Sequence, residues 1–455
     1  MDPEDLEWLG ELTGGQVVDA RRTTEGGSRV TWLVDVDVPG FGRRELVLRR
    51  DSGDGPFTGT EFTLAREATV YRALQDTDVA VPRVVAVASD GHAMVSERVQ
   101  GSDNFDAITD PDERAGVIDS FLRELAVLHR LDPTALDLPG FWHPVSAEDH
   151  VLHYLDVWER IFDTRVRRPA PLVRFVLGWA RRHAPAHVDR TVLCWGDVGS
   201  GNFLHHEGRV SALLDWELAH VGDPMDDLAF FMMRTNLLYE GRFGDVNECV
   251  RRYGEYAGTE PDRERIEFYR PIVLMRWLIA ALAALDGRTN SDMAGFTYLF
   301  LTIVVPKWLT VVLVDLFGIS PEPTAIPAPG AGTLRSEVVE VLQGELGNGI
   351  MPVLADPAAS RRAMGMALLL DHLHAADTLA GPVEEAELDD LEGLLGHRPE
   401  TAEAGLRSLD DFVRAAGRER DEELLRFFVR QADRAGAVWP MIAGYMAKPI
   451  GPVEI

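Results

Sequence analysis

One stretch, from residue 193 to residue 231, constrains this chain more than any other. It reads LCWGDVGSGNFLHHEGRVSALLDWELAHVGDPMDDLAFF, with carboxylates and an amide grouped around two short apolar runs. Those runs, residues 203–206 and 209–214, flank the dipeptide Glu207-Gly208, a connection typical of a tight β-hairpin. The stretch therefore predicts a two-stranded hairpin with polar groups at its open end.

The register of this hairpin predicts which residues meet. With a two-residue turn, His206 faces Arg209, and Asn202 comes to lie opposite Leu213. Asp215 follows two residues later on the same strand, about 7 Å further along at the usual rise per residue. We therefore expect an amide and a carboxylate at one end of a small sheet.

Asp197 adds a second carboxylate five residues before Asn202. Such oxygen ligands suit a hard cation such as Mg²⁺, which is usually held by one or two protein groups together with phosphate oxygens. Kinase-type phosphoryl transfer uses the same order of Asp, Asn and Asp. There the first Asp accepts the substrate hydroxyl proton, and the other two residues hold Mg²⁺ on the nucleotide phosphates. The stretch predicts Asp197 as the catalytic residue and Asn202 and Asp215 as metal ligands.

The stretch resembles the aminoglycoside phosphotransferase (APH) family, whose signature reads approximately H-G-D-x-x-x-x-N followed by D-W-E-x-A-x-x-G-D-P-x-x-D-L-A. This chain has W-G-D-x-x-x-x-N at 195–202 and the whole second motif at 215–229. Trp195 replaces a His that mainly supports the loop, so we expect it to affect loop geometry more than chemistry. The second motif looks most like the kinase-like modules joined to acyl-CoA dehydrogenases, which favours a metabolic, acyl-CoA-type acceptor over an aminoglycoside.

The resemblance covers about residues 10–318 and implies an α+β, protein-kinase-like two-lobed fold. Residues 1–99 would form a small mixed, β-rich N-lobe, and residues 100–318 a larger, mainly helical C-lobe with the catalytic and metal site. Residues 319–333 are rich in Pro, Ala and Gly and predict a linker. Residues 334–455 have helical periodicity and predict an additional C-terminal helical bundle. Homodimerisation, substrate gating and partner docking are the roles open to that bundle.

Hydrophobic periodicity places the elements within these regions. In the first lobe we expect a helix at 60–74 and strands at 16–22, 29–38, 44–50, 81–88 and 92–99. In the second lobe we expect helices at 113–131, 150–164, 172–183 and 224–238. In the C-terminal region we expect helices at 334–346, 357–376, 384–395, 401–416 and 421–435.

The first lobe carries candidates for phosphate binding. The turn after the first strand contains Gly26, Gly27 and Ser28; backbone N–H groups of such a turn can contact phosphates, although most such turns merely reverse the chain. Kinase folds place a phosphate-pairing lysine on the third strand, but the two lysines of this chain both lie beyond residue 300. The resemblance puts Arg49 at that position, where a guanidinium can grip phosphate. A solvated strand end is the alternative.

Three further residues complete the expected nucleotide site. Glu67 matches the family helix glutamate in A-R-E-x-x-V-Y-R-A-L at 65–74, so the resemblance implies that it orients Arg49; a surface charge pair within its own helix is the alternative. The segment 94–99 resembles the family segment that links the lobes and meets the adenine. The resemblance therefore implies contacts at Glu97 and Val99, with ATP and Mg²⁺ as the cofactors.

The remaining acids of the stretch have a structural explanation. Asp223 and Pro224 suit the N-cap and first position of a helix, and Asp226 and Asp227 in its first turn favour the helix dipole. We therefore leave these three acids out of the catalytic set, with Asp227 in a position to brace the catalytic loop. For Glu217 two roles remain open, contact with a metal-bound water and a place on the surface.

Composition excludes some classes of function. The net charge of −29 argues against binding nucleic acid or an anionic membrane through the general field. The two cysteines form no disulfide framework, and the acidic N-terminus lacks an apolar signal region. Residues 296–317 are strongly apolar but interrupted by Pro306-Lys307, so we expect buried helices rather than a membrane span. We expect a cytoplasmic protein.

Together these patterns predict an ATP-dependent phosphotransferase that moves the γ-phosphoryl group to a hydroxyl of a small molecule. The competing hypothesis is a catalytically weak or inactive nucleotide-binding pseudokinase that acts as an interaction module. Trp195 and the missing strand lysine motivate that alternative, whereas Asp197, Asn202 and Asp215 weigh against it.

Overall fold

The computed structural model of this chain describes residues 1–23, 29–53, 55–287 and 293–455. Its strands are β1 Gln16–Arg22, β2 Arg29–Val38, β3 Gly42–Asp51, β4 Val84–Val87, β5 Ala93–Glu97, β6 Val192–Cys194, β7 Phe203–His206, β8 Arg209–Leu213 and β9 His220–Gly222. Its helices are α1 Pro3–Thr13, α2 Leu64–Leu74, α3 Pro111–Arg130, α4 Ala147–Arg165, α5 Pro171–Arg182, α6 Pro224–Leu238, α7 Val246–Ala257, α8 Arg263–Gly287, α9 Met293–Phe317, α10 Leu334–Gly344, α11 Pro357–Leu395, α12 Ala402–Ala415, α13 Asp421–Ala437 and α14 Ala443–Met446. The α+β, two-lobed fold expected from the sequence is confirmed.

The first lobe is a five-stranded antiparallel sheet in the order β1-β2-β3-β5-β4. Side chains alternate between the two faces of a strand, so Leu46 and Leu48 of β3 are buried together with Leu9 of α1, while Arg49 points to the other face. Helix α1, which the sequence patterns did not predict, thus covers one face of the sheet. The second helix, α2, buries its apolar side chains in the core of the larger lobe.

In its described residues, the larger lobe is mainly helical and contains two short antiparallel strand pairs, β6 with β9 and β7 with β8. These pairs hold two loops side by side. The 195–202 loop joins β6 to β7, and the 214–219 loop joins β8 to β9. Helix α6 begins two residues after β9, at the predicted Pro224. The strand pairs therefore bring the two acidic motifs of the sequence to one place.

The C-terminal region packs directly on the larger lobe. Phe428 of α13 lies against Phe175 of α5, with ring centroids 5.6 Å apart, and the buried residues of α12 and α13 belong to the same hydrophobic core as those of α5 and α9. Residues 319–333 contain neither helix nor strand. The domain boundaries drawn from the sequence stay predictions.

One predicted break in the C-terminal region is wrong. We expected separate helices at 357–376 and 384–395, but α11 runs through both with Pro382 inside it. Proline removes one helical hydrogen bond and disfavours the helix interior. Packing overrides that local preference, because the second half of α11 buries Leu388, Leu391 and Leu394.

Two helices are long and apolar enough to cross a membrane by length and composition alone, α8 and the segment Gly295–Phe317 of α9. The most apolar window of the first is 83% buried within the structure and that of the second 39%. Core helices of proteins without a membrane pass the same test. The absence of a membrane span stays a prediction.

Candidate active site

Asp197, Asn202 and Asp215 lie on the two adjacent loops of the larger lobe. The loops are joined by the backbone, because the N–H of Leu214 donates to the carbonyl of Asn202 at 2.7 Å. Asn202 is buried, while the Asp197 and Asp215 side chains are 25% and 30% exposed. The structure thus brings the three predicted residues to one open edge of the hairpin.

The predicted hairpin register is wrong by one residue at this end. Asn202 was expected opposite Leu213, but Leu213 pairs with Phe203, since the register shifts after the first two pairs. The extra residue on β8 is a bulge, next to which the Ser211 hydroxyl donates to the carbonyl of Gln100 at 2.8 Å. The shift sets Asn202 beside the residue that precedes Asp215.

Two non-glycine residues of this region have left-handed backbone conformations. Glu207, with φ of 49°, and Gly208, with φ of 75°, form the positive-φ pair of a type I′ hairpin turn. Asp215 has φ of 61°, a region that Asp tolerates better than most residues. Strained conformations of this kind cluster at functional sites, so the backbone marks Asp215 independently of its sequence motif.

Both carboxylate oxygens of Asp197 have protein partners. The amide of Asn202 donates to one oxygen at 2.7 Å, and the guanidinium of Arg234 on α6 contacts the other. Arg234 also donates to the carbonyl of Ser200 at 2.9 Å, and the nearby carboxylate of Asp197 helps to raise the pKa of Arg234 against the effect of burial. The contacts fix the orientation of the Asp197 carboxylate.

Arg234 is a site residue that the sequence patterns did not identify. It lies on α6 seven residues after Asp227, which is two helical turns and therefore the same face. Since Asp227 was expected to brace the catalytic loop, the next basic residue on its face was the signal that could have identified Arg234.

Across the cleft, Arg49 of β3 joins the two lobes. One guanidinium nitrogen contacts the carboxylate of Glu67 on α2, and another lies 3.1 Å from the carboxylate of Asp215. The Arg49 side chain is 15% exposed and that of Glu67 is fully buried, so the alternatives of a solvated strand end and of a surface charge pair are both wrong. Burial raises the pKa of Glu67, an effect that the charge of Arg49 opposes.

Glu67 also reaches the 214–219 loop. The backbone N–H of Trp216 donates to its carboxylate at 3.3 Å, and the N–H of Asp215 donates to the hydroxyl of Tyr71, one turn further along α2, at 3.2 Å. Residues i and i+4 share one helix face. This face of α2 therefore holds the backbone on both sides of the Asp215 peptide group.

Asp227 braces the 195–202 loop as the sequence suggested. Its buried carboxylate accepts the backbone N–H groups of Trp195 at 2.7 Å and Gly196 at 2.8 Å, and one oxygen lies 3.0 Å from Nε2 of His129. Gly196 has φ of 86°, and a Cβ atom there would lie 2.3 Å from the carbonyl oxygen of Leu218. Only glycine fits this close approach between the two loops.

Trp195 supports the same region from the inside. Its fully buried indole donates from Nε1 to the carbonyl of Leu214 at 2.8 Å, and its ring lies 5.6 Å from that of Trp216. The indole therefore binds the residue immediately before Asp215. Trp195, which stands where the family usually has His, therefore has its ring donor satisfied. Its larger ring holds the loop through this hydrogen bond.

Glu217 is not a surface residue. Its side chain is 11% exposed and lies 3.4 Å from the guanidinium of Arg29. Burial, with a further contribution from the charge of Asp215, raises the pKa of Glu217 to about 8. The role at a metal-bound water stays a prediction.

The helix-start acids have the structural roles expected of them. Asp223 caps α6 by accepting the N–H of Met225 at 3.0 Å. Asp226 accepts two hydrogen bonds from the guanidinium of Arg276, both at 2.8 Å, and these charges hold the pKa of Asp226 at about 2 despite its burial. Both acids are therefore engaged within the larger lobe.

The remaining nucleotide-site candidates are at the sheet end of the cleft. Val99 follows β5, and neither its N–H nor its C=O has a backbone partner in the part of the chain that the structure describes, so both are available to a nucleotide base. The N–H of Glu97 donates to the carbonyl of Arg83 at 2.9 Å and is not available. The turn with Gly26, Gly27 and Ser28 lies outside the described residues.

The donor set at the loop edge fits Mg²⁺. The amide nitrogen of Asn202 is directed to Asp197, which leaves its carbonyl oxygen as a ligand, and Asp215 has a second carboxylate oxygen besides the one that meets Arg49. No cluster of three or more His, Cys, Asp or Glu residues that could hold a metal occurs among the described residues. The two oxygens that Asn202 and Asp215 offer suit a cation that takes most of its ligands from phosphate and water.

Residues 19–269 of this chain match the model of a known protein family. A profile of the phosphotransferase enzyme family, APH, matches residues 19–269, more than half of the chain. Acyl-CoA dehydrogenase family member 11 of Gallus gallus is 29% identical over 199 residues, which are 42% of this chain and 25% of that protein. The Homo sapiens protein of the same name is 28% identical over 202 residues, again 42% of this chain and 25% of that protein. The chain thus spans about a quarter of the length of these curated relatives.

A solved structure of a candidate aminoglycoside phosphotransferase from Ralstonia eutropha JMP134 is also similar to this chain. It is 24% identical, with a TM-score of 0.49, and the match covers 65% of this chain and 93% of that chain.

Proposed function

Because this chain belongs to the phosphotransferase enzyme family, we propose that it moves the γ-phosphoryl group of ATP to a hydroxyl group of a small molecule. The observation that carries the proposal is the convergence of Asp197, Asn202 and Asp215 at one edge, with the Arg49–Glu67 pair across the cleft. Phosphoryl transfer depends almost entirely on positioning and charge stabilisation. This arrangement supplies both.

Asp197 is the residue we assign to the acceptor. Its carboxylate would orient the substrate hydroxyl and accept its proton as the phosphoryl group is transferred. Asn202 and Arg234 hold the carboxylate from two sides, so the geometry is fixed before the substrate arrives. The Arg234 guanidinium also adds positive charge at the point where phosphate oxygens would gather.

Arg49 and Glu67 are the residues we assign to the nucleotide. Arg49 would contact the nucleotide phosphates as the lysine of other kinase folds does, and Glu67 sets the direction of its guanidinium. An arginine remains charged at any physiological pH and can bind phosphate through two N–H groups. Asn202 and Asp215 would hold Mg²⁺. The ion supplies neutralisation of the phosphate charge.

We propose a metabolite as the acceptor, with a hydroxyl-bearing acyl-CoA-type molecule as the first candidate. Support comes from the motif at 215–229 and from the names of the relatives, which are acyl-CoA dehydrogenase family members. An aminoglycoside is a polycation and needs a local acidic pocket. The net charge of −29 is a property of the whole chain and locates no such pocket.

A pseudokinase is the alternative function. The two observations behind that alternative, Trp195 and the missing strand lysine, are weakened by the contacts that these positions make. Trp195 is hydrogen-bonded within the loop that it was thought to disturb. The strand position that lacks lysine carries Arg49, which pairs with Glu67. These contacts favour a working site.

Turnover tests the proposal directly. The intact chain is incubated with Mg-ATP and a panel of hydroxyl metabolites that includes a hydroxyacyl-CoA, and ADP release and phosphorylated product are measured. We expect transfer to at least one acceptor, its loss in Asp197→Ala with nucleotide binding retained, and normal activity in Asp103→Ala, a matched change at an exposed aspartate of the same lobe. Stabilisation by Mg-ATP without turnover across the panel would favour the pseudokinase.

Cytoplasmic localisation and the role of residues 334–455 stay predictions. Exposed apolar side chains on α10, among them Leu334, Val338 and Val341, support a contact with a partner or a second copy of the chain. Light scattering of the intact chain separates these possibilities, since a homodimer doubles the mass without any added protein.

A further inference from the structure

A cavity of about 250 Å³ lies beside the first turn of α2, between that helix, α4 and β9. Part of its wall is aromatic and apolar and is formed by Phe62, Phe141, Trp142, Tyr154, Val157 and Val221. The rest is polar and includes Glu61, Arg66, His150, His153 and His220. None of Asp197, Asn202 and Asp215 lines the cavity, so it is separate from the candidate active site. Its volume is below the roughly 300–1,000 Å³ of pockets for drug-sized ligands, which limits an occupant to a small molecule.

Arg66 supplies a positive charge to this cavity, with Glu61 as the nearby opposite charge. Its guanidinium lies 3.9 Å from the ring centroid of Phe141, and its hydrogen bond is a long one, 3.5 Å to the carbonyl of Glu217. The side chain is partly buried, and within the described ranges no carboxylate lies at ion-pair distance from it, although charges withdrawn from water are normally paired. By contrast, Arg276 and Arg234 each meet a carboxylate. In a chain with 74 acidic and 45 basic residues, an arginine left unpaired in a cavity indicates a missing anion.

His150 lines the same cavity and has an unsatisfied donor. It is 2% exposed, and its Nε2 accepts the backbone N–H of Asp223 at 2.9 Å. In the neutral ring the proton is therefore on Nδ1, and Nδ1 has no hydrogen-bond partner in the described part of the chain. Burial lowers the pKa of His150 to about 3, in agreement with a neutral ring. A buried N–H without an acceptor is costly, and an acceptor in the cavity would remove the cost.

Among the described residues that line the cavity, Glu61 is the acidic one, and its carboxylate also pairs with an exposed arginine. Glu61 lies 3.0 Å from the guanidinium of Arg160. At the mouth, the ring of Trp142 stacks on His153 with centroids 4.2 Å apart, and Trp142 is 37% exposed. The cavity therefore combines a flat aromatic entrance, apolar walls and two donors.

We propose that this cavity binds a small organic carboxylate with a flat apolar body. The guanidinium of Arg66 and Nδ1 of His150 hold the carboxylate, and the aromatic walls enclose the body. Guanidinium and carboxylate form strong, geometrically matched hydrogen bonds, and the apolar walls add specificity for a carbon skeleton over a bare anion. This inference goes beyond the proposed phosphoryl transfer and does not depend on it.

Calorimetric titration of the intact chain with benzoate, benzyl alcohol and inorganic phosphate tests the proposal. We expect benzoate to bind, and benzyl alcohol, which has the same ring without the charge, to bind at least about tenfold more weakly. Arg66→Met abolishes benzoate binding, whereas Arg72→Met, an exposed arginine on the same helix, preserves it. His150→Phe is a second variant, and we expect a weakening of several-fold.

The stability of the variant without ligand separates a binding role from a structural one. Removal of a partly buried charge that has no ion-pair partner should leave the melting temperature of Arg66→Met equal to or above that of the wild type, while the benzoate-induced shift disappears. A fall in that melting temperature would mean that Arg66 serves the fold, and the proposal would be wrong. Equal binding of benzoate to wild type and Arg66→Met, equal binding of benzyl alcohol, or equal binding of phosphate would each overturn it as well.

Discussion

Removal of Arg49 should destabilise the protein, because the buried carboxylate of Glu67 would lose its counter-charge. The Glu67 side chain is fully buried and meets the guanidinium of Arg49 and the N–H of Trp216. Loss of one partner of a buried ion pair costs about 3–5 kcal/mol because it leaves a charge unpaired. We therefore expect Arg49→Met to lower the free energy of unfolding by about this amount at pH 8.

The cost should depend on pH with a definite sign. Burial already raises the pKa of Glu67, and Arg49 limits the rise; without the guanidinium the folded-state pKa rises further above the unfolded value. A carboxyl with a raised folded pKa favours the native state below the unfolded pKa and loses this contribution as pH rises through the folded pKa. A tenfold change in the proton affinity of the carboxylate corresponds to about 1.4 kcal/mol. The variant should therefore be destabilised by about 2 kcal/mol less at pH 5 than at pH 8.

Urea unfolding followed by tryptophan fluorescence at the two pH values measures this difference. The control is the double variant Glu67→Gln/Arg49→Met, in which residue 67 cannot ionise. Its difference from the single variant Glu67→Gln should change less with pH, and the residual change belongs to Glu217, whose pKa burial raises to about 8 and the charge of Arg49 limits. Equal destabilisation by Arg49→Met at pH 5 and pH 8 would refute the reasoning. If the double variant kept the full pH dependence, the titrating group would be a residue other than Glu67.

Three further predictions concern the loops and the thiols. Trp195→Phe keeps an aromatic ring but leaves the buried carbonyl of Leu214 without its donor. We expect a loss of about 1–3 kcal/mol in the free energy of unfolding and a fall in ATP turnover. Unchanged stability would contradict the role assigned to this hydrogen bond. Asp227→Asn weakens one of two charge-assisted hydrogen bonds to the loop backbone. We expect denaturant titration to show a loss of about 3 kcal/mol in the free energy of unfolding. A loss smaller than the error of the titration would count against the bracing role. Burial raises the pKa of both thiols, that of Cys249 to about 11 and that of Cys194 well above its ordinary value. At pH 8 the native protein should therefore react with a disulfide reagent far more slowly than the unfolded chain. Rapid labelling of either thiol in the native protein would contradict the burial.

The sequence predicted the parts of this site that depend on local chemistry. Asp223 and Pro224 begin α6 at the expected residue because an N-cap and a proline act within one turn. The Glu207-Gly208 turn forms as expected, since its conformational requirement lies in two residues. The family motif supplied the pairing of Arg49 with Glu67, which periodicity alone could not predict.

The parts that the sequence missed depend on distant neighbours. The bulge on β8 shifts Asn202 from Leu213 to Leu214, and the hydroxyl of Ser211 beside it bonds to Gln100, a residue more than one hundred positions earlier. The Arg234 contact to Asp197 likewise spans 37 positions. The spacing of Arg234 from Asp227 indicates its face of α6, but no local pattern encodes the pairing with Asp197 itself, because either partner would be equally acceptable on a solvated surface.

Helix α2 packs against both lobes. Its apolar side chains belong to the core of the larger lobe, and so does Met94 of β5 in the sheet, while Glu67 and Tyr71 hold the backbone of the 214–219 loop. A change in the position of α2 would therefore act at once on the sheet that carries Arg49 and on the loop that carries Asp215.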